Sequence, residues 1–235
     1  DRHKAMVRYI DKLIGKLVQA LEDLGIRDNT ILIFTTDNGS TGSITGTLNG
    51  TKVQGGKSKE KESGICAPFI VNCPGLVAAG KETNALTDFS DLLPTFVELG
   101  GGKVPDNLVV DGQSIAPLIL GKENDSTRKW IMALGFGKGK LDKKGVRGRD
   151  DFMSRVIRDK RFKVWVSNKK EIVRLHDLTE DPSEKTNLFQ SKKPEHKKAI
   201  HKFEKVLASL PDKDARPLYQ PRASNPWDIK KKSNK

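Results

Sequence analysis

From Met6 to Leu24 the residues Met6, Val7, Ile10, Leu13, Ile14, Leu17, Val18, Leu21 and Leu24 recur every three or four positions, which puts them on one face of a helix. Gly25 follows, where a left-handed C-cap favours glycine, so the pattern predicts a helix over 5–24. The next apolar group has another period: Ile31, Leu32, Ile33 and Phe34 run without interruption into Thr35, Thr36, Asp37 and Asn38. A short continuous apolar run closed by turn residues predicts a strand over 31–36 buried on both faces, of the parallel-sheet kind. After a polar, glycine-rich loop, "ICAPFIVNCPG" predicts a second buried strand from about 65 to 73, stopped by Pro74-Gly75. "DFSDLLPTFVEL" returns to helical spacing over roughly 88–99, with Thr87 as N-cap, Gly100 at the stop and Pro94 an awkward interior residue. Alternation of helix and strand makes this first part α/β, half of a larger sheet sandwich.

Beyond residue 128 the pattern changes. "FMSRVIRD", "RFKVWVSN" and "EIVRLHDL" are short runs separated by turn signals, and in the second Phe162, Val164 and Val166 alternate with Lys163 and Trp165. They predict a small antiparallel sheet. An amphipathic helix over 195–210 follows, with Ile200, Phe203, Val206, Leu207 and Leu210 inward, and then a frayed tail, "NPWDIKKKSNK". The chain divides accordingly into residues 1–128 and a small α+β part, residues 129–235.

Charge sharpens that division. Residues 1–128 carry 14 Lys and Arg against 16 Asp and Glu, whereas residues 129–235 carry 29 against 14, so the second part holds the whole of the net +13. A polyanion contact through the basic C-terminal part is one meaning of that asymmetry, and a solvated helix face with a basic tail is the other. No aromatic-interleaved nucleic-acid motif accompanies the charge, and no apolar run approaches the roughly 20 residues that span a bilayer, so neither nucleic acid nor membrane is an expected partner. Cys66 and Cys73 are seven positions apart on an extended run, too far for a disulfide. The chain opens inside a helical pattern, as a fragment would.

Asp37 and Asn38 stand just past the carboxyl end of the first strand, where open α/β sheets collect ligands. Both offer hard oxygen donors, which suit Ca²⁺ or Mg²⁺; an ordinary turn uses the same letters. Lys57 follows Gly55-Gly56, glycines that let backbone approach a ligand while the lysine supplies a compact positive charge. It is also one of a run of exposed lysines, with Lys52, Lys59 and Lys61.

Taken in order, "DNTILIFTTDNG", "GGKSKEKESGICAPFIVNCPG", "TDFSDLLPTFVELGG", "DGQSIAPLILG" and "LHDLTEDPSEKTNLF" resemble the C-terminal portion of the sulfatase family, within the alkaline-phosphatase-like superfamily. The resemblance implies part of an alkaline-phosphatase-like α/β sheet sandwich, followed by a small antiparallel sheet with a C-terminal helix. It implies that Asp37 and Asn38 are two ligands of a divalent cation, usually Ca²⁺, with Mg²⁺ the alternative. Lys57 would be both a catalytic and a substrate-binding residue, touching a sulfate oxygen. The substrate would be a sulfate ester or sulfamate, on a small molecule or glycan, and the compartment secreted or periplasmic. Two departures stand out. The family's Glu-Gly-Gly and Arg-Val-Pro read here Glu62-Ser63-Gly64 and Cys66-Ala67-Pro68, which leaves the anchoring of that loop open. The Cys/Ser-x-Pro-x-Arg motif that yields formylglycine is absent from residues 1–235: Cys66-Ala67-Pro68 is followed by Ile70 in place of Arg, and Ser209-x-Pro211 by Lys213. Formylglycine is therefore expected upstream, and this chain alone is expected to be inactive. Phosphodiester or phosphonate hydrolysis in the same superfamily, or a non-catalytic polyanion-binding fragment, are the competing functions. The four histidines, His3, His176, His196 and His201, form no ligand pair.

Overall fold

The computed structural model describes residues 2–48, 50–135, 140–142, 145–147 and 150–215; the tail read as frayed lies outside them. Helix α1 (Arg2–Asp23) ends as predicted at Gly25, whose φ is +67°. The Ile26 N–H donates to the Leu21 carbonyl at 3.1 Å and the Gly25 N–H to that of Glu22 at 2.9 Å, the paired bonds of a Schellman cap. None of its residues is buried, and Met6 and Leu24 remain 64% and 70% exposed, so the described residues leave much of its apolar stripe uncovered.

A 3-10 turn (Arg27–Asn29) leads into β1 (Leu32–Thr35). Beyond it come β2 (Thr45–Leu48), β3 (Thr51–Gln54), the single turn α2 (Glu62–Ile65) and β4 (Phe69–Asn72). The expectation of a parallel strand buried on both faces is corrected here: β1 pairs with β4 antiparallel, Leu32 opposite Asn72, and all four of its residues are only half-buried. Among the described residues β4 is its sole neighbour in the sheet. The stretch read as loop contains a hairpin, β2 with β3, which turns at Gly50 at φ +77°. The second predicted strand shortens, because Glu62–Ile65 takes a helical turn and Pro68 confines the extended run to β4.

Helix α3 (Leu92–Leu99) is preceded by a 3-10 turn (Phe89–Asp91) and followed by α4 (Ala116–Ile119). The cap is Asp88, not Thr87: its carboxylate accepts the Ser90 N–H at 2.9 Å, while the Asp91 carboxylate accepts the Asp88 N–H at 2.8 Å. Since the α-helix begins at Leu92, Pro94 is its third residue, where the missing N–H would have had no intrahelical acceptor. Cys66 and Cys73 are free thiols, as their spacing predicts. Among the described residues no helix is long and apolar enough to cross a membrane.

The C-terminal part contains β5 (Ile131–Leu134), β6 (Lys140–Asp142), β7 (Gly145–Arg147), β8 (Arg155–Arg158), β9 (Phe162–Val166), β10 (Ile172–Asp177) and α5 (Pro194–Ser209). Strands β10, β9, β8 and β5 form, in that order, the predicted antiparallel sheet, with β5 as an additional edge, while β6 and β7 pair separately. The row Met132, Ile157, Val164 and Leu175 crosses one face in register, and Ala199, Phe203 and Leu207 of α5 pack over it. His196 joins that buried side of α5: its Nδ1 lies 2.7 Å from Ser191 Oγ and its ring stands edge-on to Phe162.

The opposite face carries the polar positions of the alternation. Its row Arg158, Lys163 and His176 is covered all the same, with Lys163 0% and His176 3% exposed. Neither ring nitrogen of His176 reaches a hydrogen-bond partner among the described residues. Burial pushes the imidazole below its ordinary value, and the nearby Glu184, the Thr186 backbone and Asp181 offset this only in part. The folded state thus keeps His176 neutral where the unfolded chain takes up a proton, so its contribution to stability is complete above about pH 6.5 and is lost as pH falls below it. Thermal unfolding followed between pH 7 and 5, above the range of ordinary carboxylates, should show a falling midpoint, and His176→Tyr, which does not titrate there, should flatten it. An unchanged slope in the variant would refute the assignment.

Candidate functional site

Asp37 and Asn38 form a bend two residues beyond the end of β1. The bend is tied down on both sides. The Thr36 hydroxyl donates to the Asn38 carbonyl at 3.0 Å, and the Gly39 N–H donates to the Gly64 carbonyl of α2 at 2.9 Å. A Cβ on Gly39 would stand 1.9 Å from the Ser63 carbonyl oxygen, so only glycine lets the strand end lie against α2.

The Gly55-Gly56-Lys57 segment docks on the same turn. The Gly56 N–H donates to the Ser63 carbonyl at 3.1 Å, and a Cβ on Gly56 would meet Ser63 Oγ at 2.5 Å. The Lys57 N–H then donates to the Ser40 carbonyl at 3.0 Å, which brings its backbone beside the residue two places after Asn38. A turn closes behind it, Lys59 N–H to Gly56 carbonyl at 2.8 Å, with Ser58 at φ +67°. A non-glycine residue in that region costs energy, and it persists here because backbone bonds on both sides hold the turn. The residues singled out from the sequence, Asp37, Asn38 and Lys57, therefore lie on two loops fastened to one short helix. Nothing in the letters between them showed that α2 is the fastener.

Asp37 and Lys57 are exposed and Asn38 half-buried, and none of the three side chains forms a hydrogen bond or ion pair with a described residue. The carboxylates of Asp91, Asp177 and Asp181, by contrast, are taken up by arginine or backbone N–H groups. One carboxylate and one amide oxygen suit a hard divalent cation, but no group of three His, Cys, Asp or Glu residues that could hold a metal exists among the described residues. Asp37 and Asn38 can thus be part of a ligand set, not the whole. Of the neighbouring lysines, Lys61 is engaged, its Nζ donating to the Ser183 carbonyl at 3.3 Å, whereas Lys52 and Lys59 are exposed.

The anchoring left open by the Glu62-Ser63-Gly64 departure is visible in the structure. Glu62 forms ion pairs with Arg158 and, at 3.1 Å, with Lys163, and its N–H donates to Glu184 Oε1 at 2.6 Å. These contacts reach roughly a hundred residues along the chain, from α2 to the C-terminal sheet. A surface cavity of about 440 Å³, lined by Lys170, Ile172, Phe189, Glu204 and Leu207 among others, involves none of these groups.

Comparison with known proteins places the chain in a family. Residues 1–102 match the sulfatase family model, and residues 57–213 match the model described as N-sulphoglucosamine sulphohydrolase, C-terminal. Arylsulfatase D of Homo sapiens is 36% identical over 135 residues, 53% of this chain and 22% of that protein. The ulvan-active sulfatase of Formosa agariphila is 28% identical over 220 residues, 82% of this chain and 39% of that one. The crystal structure of Ps i-CgsB in complex with k-i-k-neocarrahexaose superposes with a TM-score of 0.64 at 29% identity, over 86% of this chain and 42% of that one. The chain spans less than half the length of each. With one family model over its first 102 residues and another running on to residue 213, the chain belongs to the sulfatase family, and its mixed α/β fold is that of the alkaline-phosphatase-like superfamily.

Proposed function

We propose that residues 1–235 furnish one side of a metal-dependent sulfatase site that hydrolyses a sulfate ester or sulfamate on a carbohydrate. The observation that carries this is the fastening of Asp37-Asn38-Gly39 and Gly55-Gly56-Lys57 to α2 by backbone bonds of 2.9 and 3.1 Å, with the three functional side chains left unengaged. Such an arrangement spends its hydrogen bonds on placing the backbone and keeps the side chains for a ligand. Asp37 and Asn38 would hold Ca²⁺, or Mg²⁺, together with ligands from outside this chain. The cation would supply Lewis-acid neutralisation of charge on the sulfate oxygens. Lys57 would bind a sulfate oxygen and stabilise the negative charge that builds as the S–O or S–N bond breaks. No Cys/Ser-x-Pro-x-Arg motif lies in these 235 residues, so the nucleophile would come from elsewhere in the complete protein. The carbohydrate assignment leans on the relatives, one named ulvan-active and another solved with a neocarrahexaose.

The test is sulfate release by the protein expressed from its full reading frame, using 4-nitrocatechol sulfate and sulfated oligosaccharides. EDTA should lower the rate by roughly tenfold or more and added Ca²⁺ should restore it. Faster cleavage of bis(4-nitrophenyl) phosphate than of any sulfate would transfer the protein to the phosphodiesterases, and full activity in EDTA would remove the metal from the site.

A further inference from the structure

The face of the sheet opposite α5 holds a group of charges that the proposed chemistry does not use. Lys163 Nζ, wholly buried, lies 3.1 Å from Glu62 Oε1, 3.1 Å from Glu184 Oε2 and 2.5 Å from the Glu60 carbonyl. Glu184 is 5% exposed, accepts the Trp165 indole N–H at 3.3 Å and the Glu62 N–H at 2.6 Å, and sits at φ +53°. A buried lysine costs several kilocalories per mole unless its partners are well placed, and a glutamate in the left-handed region adds backbone strain. Costs of both kinds at one spot mark a place where geometry is being enforced.

What is enforced is the position of α2. Glu60, Glu62, Ser63 and Gly64 are nearly consecutive, and they face three ways. Glu60 and Glu62 are gripped by Lys163 and Glu184. The Ser63 carbonyl receives Gly56, next to Lys57, and the Gly64 carbonyl receives Gly39, next to Asn38. With glycines at both contacts and no side chain to cushion them, any shift of α2 passes directly to both loops. We propose that Lys163 and Glu184 are positioning residues, clamping α2 so that its carbonyls fix the spacing between the Asp37-Asn38 bend and Lys57. The C-terminal sheet would then be a jig for the site, acting through α2 and not through Asp37, Asn38 or Lys57 themselves. Its catalytic meaning rests on the sulfatase reading; its mechanics do not.

The variants are Glu184→Gln, which keeps the shape but removes the charge, and Lys163→Met, with Lys163→Arg as the charge-preserving control, all in the protein expressed from its full reading frame. Amide exchange should rise about tenfold at Gly39 and Gly56, while amides of the β8–β10 ladder stay within about twofold of the parent. With 4-nitrocatechol sulfate, kcat should fall about tenfold with KM within about threefold, and Lys163→Arg should recover part of the loss. Equal acceleration at all amides would show a merely structural ion pair and overturn the proposal, as would unchanged exchange at Gly39 and Gly56. If Lys163→Met does not fold, Glu184→Gln decides by the same criteria. If the parent cleaves no sulfate, the sulfatase reading fails, yet the exchange data still judge the clamp.

Discussion

Replacing Lys57 with alanine in the complete protein is expected to lower kcat for sulfate hydrolysis by about 10²- to 10³-fold while KM stays within about threefold. The size follows from when the charge is needed. A sulfate group is already anionic on binding, but charge grows on the departing oxygen only as the bond breaks, so a fixed ammonium is worth most in the transition state. The selectivity follows from the fold. Lys57 is held by its own N–H to Ser40 and by the turn that closes from Lys59 to Gly56, not by its side chain. Truncation should therefore leave the loop in place and shift stability by no more than about 0.5 kcal/mol, as at other exposed positions. Lys57→Arg should recover only part of the rate, because a planar fork does not replace a compact point charge. In parallel, if the proposed ligand roles hold, Asp37→Ala should raise the Ca²⁺ needed for half-maximal activity more than Asn38→Ala does, since one would remove a charged ligand and the other a neutral one. A Lys57→Ala protein that keeps a third of the parental kcat would dismiss the lysine from the chemistry.

How much of this was readable before any coordinates depended on range. Helix α1 and its Gly25 cap, the three short strands of the C-terminal sheet and the inward face of α5 are local patterns, and they fold as read. The strand before Asp37 was legible too, but not its neighbour. An apolar run reports burial, whereas the choice between parallel and antiparallel depends on a partner nearly forty residues away, β4. Hairpin β2–β3 carried a usable signal, Thr and Val flanking an Asn-Gly pair, which the polar composition of the surrounding stretch obscured. The burial of Lys163 on β9 was not legible, for a physical reason. Alternation assigns a lysine to solvent, and only the return of Glu184 and of the 60–62 segment, the latter about a hundred positions away, makes its burial affordable. For the candidate site the sequence offered residue types but not their fastening, since that runs through backbone carbonyls that any residue could supply.

Asp91→Ala is expected to be the most destabilising single change in the first part of the chain, by about 3–5 kcal/mol. The carboxylate is fully buried and completely used. It accepts Arg128 Nε at 3.2 Å and a second, closer bond from Arg128 Nη2, the Gln113 N–H at 2.8 Å and the Asp88 N–H at 2.8 Å. Its own carbonyl takes the Thr95 hydroxyl at 2.6 Å, and that hydroxyl in turn accepts the Ile115 N–H at 2.9 Å. One residue thus joins the start of α3, the 112–115 approach to α4 and Arg128. Alanine would strand a guanidinium that is only 11% exposed along with two backbone donors, and a buried donor left without a partner costs its full desolvation. Asp91→Asn should be nearly as harmful, because an amide NH₂ in place of one carboxylate oxygen would set a donor against the arginine and backbone donors that this oxygen accepts. In a chain of this length each kilocalorie moves the melting midpoint by about 2–4 °C, so a drop of roughly 6–20 °C is expected. Removing Arg128 as well separates the two contributions. Asp91→Ala with Arg128→Met should recover part of the loss, since the stranded charge is gone while the orphaned amides remain. A midpoint within 2 °C of the parent for Asp91→Ala, or a double variant no better than the single one, would show that the Asp91–Arg128 pair does not hold these segments together.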